Sequence, residues 1–65
     1  MNITVNGKKL SSKAKTITEL NKEQGMEGKP VLVEYNKNAL TASSHNGTQL
    51  QEGDTIELFM LGAGG

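Results

Sequence analysis

The chain has 65 residues, of which 34% are hydrophobic, with one Phe, one Tyr and no Trp. That is one small domain with a thin core, since a chain near this length buries only ~60% of the surface its unfolded form exposes, and it leaves little room for an enclosed catalytic cleft. Seven lysines balance seven acidic side chains, so the basic excess that non-specific binding to nucleic acid or an anionic membrane requires is missing. Cysteine is absent, which removes disulfides, thiolate metal sites and a cysteine nucleophile, and favours a reducing, cytoplasmic setting. No apolar run approaches the ~20 residues of a membrane span, and Met1 to Gly7 has no signal-peptide core.

The first fifteen residues read as a hairpin. Ile3 and Val5 alternate with Asn2 and Thr4, and Asn6-Gly7 is the strongest short hairpin signal, because a type I′ turn needs positive φ at both central residues. The register that follows sets Val5 against Lys8 and Ile3 against Leu10, and puts Leu10, Ser12 and Ala14 on the face of Ile3 and Val5. The second strand, Lys8 to Lys15, is mostly polar and suits a sheet edge. Thr16-Ile17-Thr18-Glu19 is a capping box opening a short helix. Ile17, Leu20 and Gln24 lie along one side of it, Gly25 is its stop, and Met26 packs back beneath it. Pro30 blocks helix at Lys29. Val31 to Asn36 is the most strand-like run and belongs near the middle of a sheet. Asn36 to Asn38 is a turn, Ala39 to Thr41 a short strand, and Ala42 to Gln51 a polar, irregular stretch. Gly53-Asp54 turns into a last strand, Thr55 to Met60, with Ile56, Leu58 and Met60 on one face and Thr55, Glu57 and Phe59 on the other.

One helix between strand groups in so short a chain must cover one face of a single sheet. The first and last strands, both apolar, fit side by side at its centre with a right-handed crossover. This is an α+β fold of the β-grasp, ubiquitin-like kind: a mixed sheet of four to five strands with one helix on one face. The domain is expected to span residues 1–61, followed by a glycine-rich tail over 62–65. The expected core is Ile3, Val5, Leu10, Ile17, Leu20, Val31, Val33, Ile56 and Leu58.

Chemistry is scarce. Glu19, Glu23 and Glu27 recur every fourth position, as a solvated helix face does. Lys8, Lys9, Lys13 and Lys15 are read as edge lysines that block strand addition. His45 lies among Ser, Asn, Gly and Thr and reads as a solvated loop histidine; no metal site is expected. The C-terminus is different. Leu61-Gly62-Ala63-Gly64-Gly65 follows directly on a strand, and at a background glycine usage of ~7% a Gly-Gly end arises by chance about once in two hundred chains. Glycine leaves the final carboxylate unhindered and lets the peptide thread a narrow channel. A carboxylate is a poor electrophile and must be activated, most simply as an acyl-adenylate, before a nucleophile can take the acyl group. Gly65 is therefore the expected reactive residue, with Gly62 and Gly64 as the threading positions of a tail expected to be mobile until a partner orders it.

Five features in order resemble the ThiS family, ubiquitin-like sulfur carriers of thiamine biosynthesis. They are Met1-Asn2-Ile3-Thr4-Val5-Asn6-Gly7, the Thr16-Ile17 helix start, Val31-Leu32-Val33-Glu34-Tyr35-Asn36, Gly53-Asp54-Thr55-Ile56-Glu57-Leu58, and the Gly64-Gly65 terminus. The chain departs from that family between Leu40 and Asn46, where members often carry Pro-Arg and Trp, and at Asn21, where a second leucine is common. The resemblance implies that a ubiquitin-activating-type, ThiF-like adenylyltransferase uses ATP and Mg to adenylate the Gly65 carboxylate. A sulfur donor linked to a cysteine desulfurase then converts it to a thiocarboxylate, which a ThiG-like thiazole synthase consumes. On this reading the chain is a carrier and a substrate, not an enzyme, and binds no cofactor of its own. The small subunit of molybdopterin synthase is similar in fold and tail. A protein-modifying ubiquitin-like tag and a non-covalent interaction module are the other readings. Leu32 and Phe59 point away from the helix-covered face; with Leu61 they are the expected partner-binding residues.

Overall fold

The computed structural model describes residues 1–60. It contains β1 (Asn2–Val5), β2 (Lys8–Ser11), α1 (Ile17–Glu23), β3 (Val31–Tyr35), β4 (Asn38–Leu40), a 3-10 turn (Ala42–Ser44) and β5 (Thr55–Met60). The five strands form one sheet in the order β2-β1-β5-β3-β4. β1 and β5 run parallel at its centre, and the other neighbours are antiparallel. This is the β-grasp arrangement expected from the sequence, with β2 on one edge and β3 one place further out than the middle.

Local chemistry accounts for most element boundaries. Asn6 and Gly7 both have positive φ (51° and 82°), and the resulting register pairs Val5 with Lys8 and Ile3 with Leu10. β2 stops at Ser11 and does not reach Lys15. Ser12 turns inward instead: its hydroxyl donates to Glu23 at 2.7 Å and accepts from the Ala14 amide at 3.0 Å. The Lys13 amide also donates to Glu23, at 3.1 Å, so Glu23 fastens the chain between β2 and α1 and is not simply solvated.

Thr16 caps α1 by accepting from the Glu19 amide at 3.2 Å. Glu19 returns the favour one residue earlier than in a standard capping box, accepting from Lys15 at 2.8 Å. The far end is a Schellman motif. Gly25 has φ +76°, its amide donates to the Lys22 carbonyl, and the Met26 amide donates to the Asn21 carbonyl. Met26 packs against the core as expected, whereas Gln24 is exposed.

The buried core is Ile3, Val5, Ala14, Ile17, Leu20, Val33, Leu50, Ile56 and Leu58. Leu10 and Val31, expected inside, are half-buried at its margin. Leu50 was not expected. It lies in the polar stretch after β4, where a lone leucine has no periodicity to reveal it. Its amide donates to the Lys15 carbonyl at 2.8 Å, and the Ile17 amide donates to the Thr48 carbonyl, so residues 48–50 run beside the start of α1 and carry Leu50 into the core.

Candidate docking face

The alternation of β5 sorts its residues between two faces. Ile56 and Leu58 are buried beneath α1 with Val33, Ile3 and Val5. Glu57 and Phe59 are exposed on the other side. Phe59 is 43% exposed and Leu32 37%, and the β3–β5 register sets them directly opposite each other. Side chains so placed have Cβ atoms ~4.5–5.5 Å apart and touch. They form one continuous apolar patch, at the end of β5 where the chain runs on to residues 61–65. Leu32 and Phe59 lie away from the helix-covered face as expected, and the register sets them opposite each other. Leu61, Gly62, Gly64 and Gly65 lie outside the described residues, as does the proposed domain boundary at residue 61.

At the opposite end β5 is anchored by Asp54, which the sequence reading treated only as part of a turn. Asp54 is buried. Its carboxylate accepts from the Tyr35 hydroxyl at 2.6 Å, the Gln51 amide at 2.7 Å and the Asn36 side chain at 3.2 Å. Burial alone would push this carboxyl up, but the three donors outweigh it and hold it below its ordinary range. The same hydrogen bond to Asp54, followed by burial and the adjacent negative charge, raises the Tyr35 phenol to about 12. Asn36 completes the clamp: its side-chain oxygen accepts from the Thr55 amide at 2.8 Å, and its own amide donates to the Thr55 carbonyl at 2.8 Å. These contacts hold Asn36 at φ 49°, and Lys37 follows at φ 73°, a tight turn that a lysine does not announce in sequence.

One further feature corrects the sequence reading and a second extends it. His45 is only 7% exposed, not solvated. Its Nδ1 lies 3.4 Å from the Asn21 side-chain nitrogen, while its Nε2 and the Asn21 side-chain oxygen are buried without hydrogen-bond partners among the described residues. The contact brings the middle of α1 together with the irregular segment after β4. The second feature is Glu34 and Glu57, a cross-strand pair on the open face beside Leu32 and Phe59. The residue-by-residue pattern assigns both to that face, but only the register shows that they are opposed.

The described surface has open clefts, among them two of about 660 and 460 Å³. One lies beside Asn2, Lys9 and Glu52, the other beside Lys29, Leu40 and His45. Among the described residues no three His, Asp or Glu side chains are grouped to hold a metal ion, and no helix is long and apolar enough to cross a membrane.

Comparison with known proteins bears on the whole chain. The model of the ThiS family matches residues 2–65. A crystal structure of a thiamine biosynthesis protein (ThiS) from Geobacter metallireducens superposes with a TM-score of 0.83 at 30% identity, covering 100% of both chains. An NMR solution structure of a thiamine biosynthesis protein from Geobacter metallireducens gives a TM-score of 0.77 at 30% identity, over 91% of this chain and 81% of the other. No individually curated protein matches the chain significantly.

Proposed function

Because the chain belongs to the ThiS family, we propose that it is a sulfur carrier of thiamine biosynthesis whose working group is the carboxylate of Gly65. One observation of the fold supports this reading above the others. The exposed Leu32–Phe59 pair sits at the end of the central strand from which the glycine-rich segment continues. A partner seated on that patch holds the start of the segment, and six further residues reach at most ~20 Å from Phe59. The carboxylate is thereby confined to one neighbourhood of the partner's surface, which removes much of the entropy that a bimolecular reaction loses.

The proposed chemistry runs in three steps. The Gly65 carboxylate attacks the α-phosphorus of Mg-bound ATP on a ThiF-like adenylyltransferase, and pyrophosphate leaves. A persulfide supplied through a cysteine desulfurase attacks the acyl carbon, AMP leaves, and an acyl disulfide forms. A second thiol then attacks the disulfide, which frees the thiocarboxylate and oxidises the two thiol sulfurs to a disulfide. The thiocarboxylate is a better nucleophile than the carboxylate and passes its sulfur to a ThiG-like thiazole synthase. In this scheme the chain is a substrate of each enzyme, and its lack of cysteine is no obstacle, because sulfur rides on the backbone terminus.

ATP–pyrophosphate exchange with the activating enzyme of the same organism tests the reading. The wild-type chain supports exchange; deletion of Gly64 and Gly65 abolishes it, and Phe59→Lys lowers it sharply while folding is retained. Intact mass after incubation with the sulfur donor shows sulfur in place of one oxygen. Undiminished exchange by the deletion variant would move the chemistry away from the terminus, and accumulation of higher-mass lysine conjugates would favour a protein modifier.

A further inference from the structure

β5 pairs with β3 from Tyr35↔Ile56 to Val31↔Met60. Opposed residues of an antiparallel pair alternate between those that exchange two backbone hydrogen bonds and those that exchange none. The bonds of β5 show which residues are which. The Asp54 and Ile56 carbonyls accept from the Thr4 and Asn6 amides, and the Leu58 amide donates to the Asn6 side-chain oxygen at 2.8 Å, so the even residues face β1. The Thr55 carbonyl accepts from the Asn36 amide at 2.8 Å, so the odd residues face β3. Phe59 with Leu32 is therefore a two-bond rung, and the next in register would be Leu61 with Pro30. Pro30 is the one proline of the chain. It has no N–H to give, and its ring Cδ stands where the proton would be, in the path of an approaching carbonyl. The residue is exposed, so packing does not account for it. The turn before it is already closed, by Gly28 at φ +77° and by the Lys29 amide donating to the Met26 carbonyl at 3.1 Å. On its other side β5 loses its neighbour as well. β1 ends at Val5, opposite Ile56, and the Asn6 side chain takes the Leu58 amide in place of a further strand residue.

We propose that Pro30 is a strand stop: it withholds the rung at which Leu61 would zip onto β3, and so leaves residues 61–65 available to a partner's channel. The inference rests on the carrier reading above and assigns a positioning residue to it. A terminal segment that spends part of its time paired to its own sheet is competent only for the remaining fraction, and its apparent affinity falls by that fraction. One more backbone hydrogen bond shifts such an equilibrium by a factor of about 2–10.

The experiment uses Pro30→Val, which restores the donor on a residue suited to strands. Its control is the same variant synthesised with an ester in place of the amide between positions 29 and 30, which removes the donor again without restoring the ring. Hydrogen exchange of the Leu61 amide is followed by NMR in the free chain. The kcat and KM for the carrier are taken from ATP–pyrophosphate exchange with the activating enzyme of the same organism. In Pro30→Val the Leu61 amide exchanges about 2–10-fold more slowly, and KM rises by about the same factor with kcat unchanged. The ester chain returns both to their wild-type values. An unchanged Leu61 amide in Pro30→Val would overturn the strand stop, as would a protected amide with an unchanged KM. A raised KM that persists in the ester chain would show that the partner reads the proline itself, and would overturn it too. A wild-type chain that supports no ATP–pyrophosphate exchange would overturn the carrier reading and, with it, the role of Pro30 in activation. The Leu61 amide, read in the free chain, tells that failure apart from a failure of the stop.

Discussion

The two faces of β5 differ in what determines their residues. On the covered face Ile56 and Leu58 have no freedom: each is surrounded by α1 and the neighbouring strands, and Leu58 is only 5% exposed. On the open face Glu57 and Phe59 alternate with them, and the fold gains little from either. Phe59 remains 43% exposed, and Glu57 opposes another glutamate. Packing accounts for the first pair and fails to account for the second. These residues, which the fold does not need, stand together where the chain runs on to its glycine-rich end, and on the proposed reading they answer to a partner.

The sharpest way to break this contrast is on the covered face. Leu58→Ala removes a side chain that the surrounding elements cannot close over, and is expected to cost ~2–4 kcal/mol in urea unfolding. A loss under half a kcal/mol would show that the two faces do not differ as described.

Asp54→Ala comes next. It strips the Tyr35 hydroxyl, the Gln51 amide and the Asn36 side chain of their shared acceptor, at a cost of ~1–3 kcal/mol. Its pH dependence follows from the two shifted groups. Asp54 is depressed, so the stability it contributes is present above the ordinary carboxylate value of ~3.9 and is lost as pH falls through the lower folded value. Tyr35 is raised to about 12, so its contribution is present below the ordinary phenol value of ~10 and is lost as pH rises towards the folded one. Both losses should be absent from the alanine variant, whose stability should be flatter with pH at each end.

The Asn21–His45 contact gives a smaller effect, which a second substitution reverses. Asn21→Leu alone leaves His45 without its one neighbour, and should cost ~1 kcal/mol; replacing both by apolar residues should restore or exceed wild-type stability. Additive single and double changes would mean that the two residues are not coupled. On the open face the expectation is near zero: Phe59→Ser should move the unfolding free energy by no more than about 0.5 kcal/mol, although it removes the largest apolar side chain of the patch.

Much of the covered half was legible in the sequence. The Asn6-Gly7 turn, the Thr16–Glu19 cap, the Gly25 stop and the alternation of β1 and β5 are local signals, and each fixes its own geometry. Leu50, Asp54 and His45 were not legible, for one physical reason. Each sits in an irregular stretch and is buried by contacts with elements distant in the chain: Leu50 beside Lys15, Asp54 against Tyr35, His45 against Asn21. No period of two or 3.6 marks such positions. The turn at Asn36-Lys37 was placed but not typed, because Asn36 is held in its left-handed conformation by Thr55 and Asp54 and not by the residues of the turn itself. On the open face, exposure of Leu32 and Phe59 followed from alternation, while the opposition of Glu34 and Glu57 needed the register between two strands that begin 24 residues apart.

The parallel pairing of β1 with β5 also sets the order of events in the making of this molecule. The strand at the middle of the sheet is the last of the described strands to be synthesised, and its neighbours β1 and β3 must wait for it. Contacts that join the two ends of a chain close the largest loops and form slowly. Leu32 and Phe59 become neighbours only when β5 has been inserted. An activating enzyme that requires both at once would pass over unfolded copies, which display the same glycine-rich sequence without the surface that vouches for it.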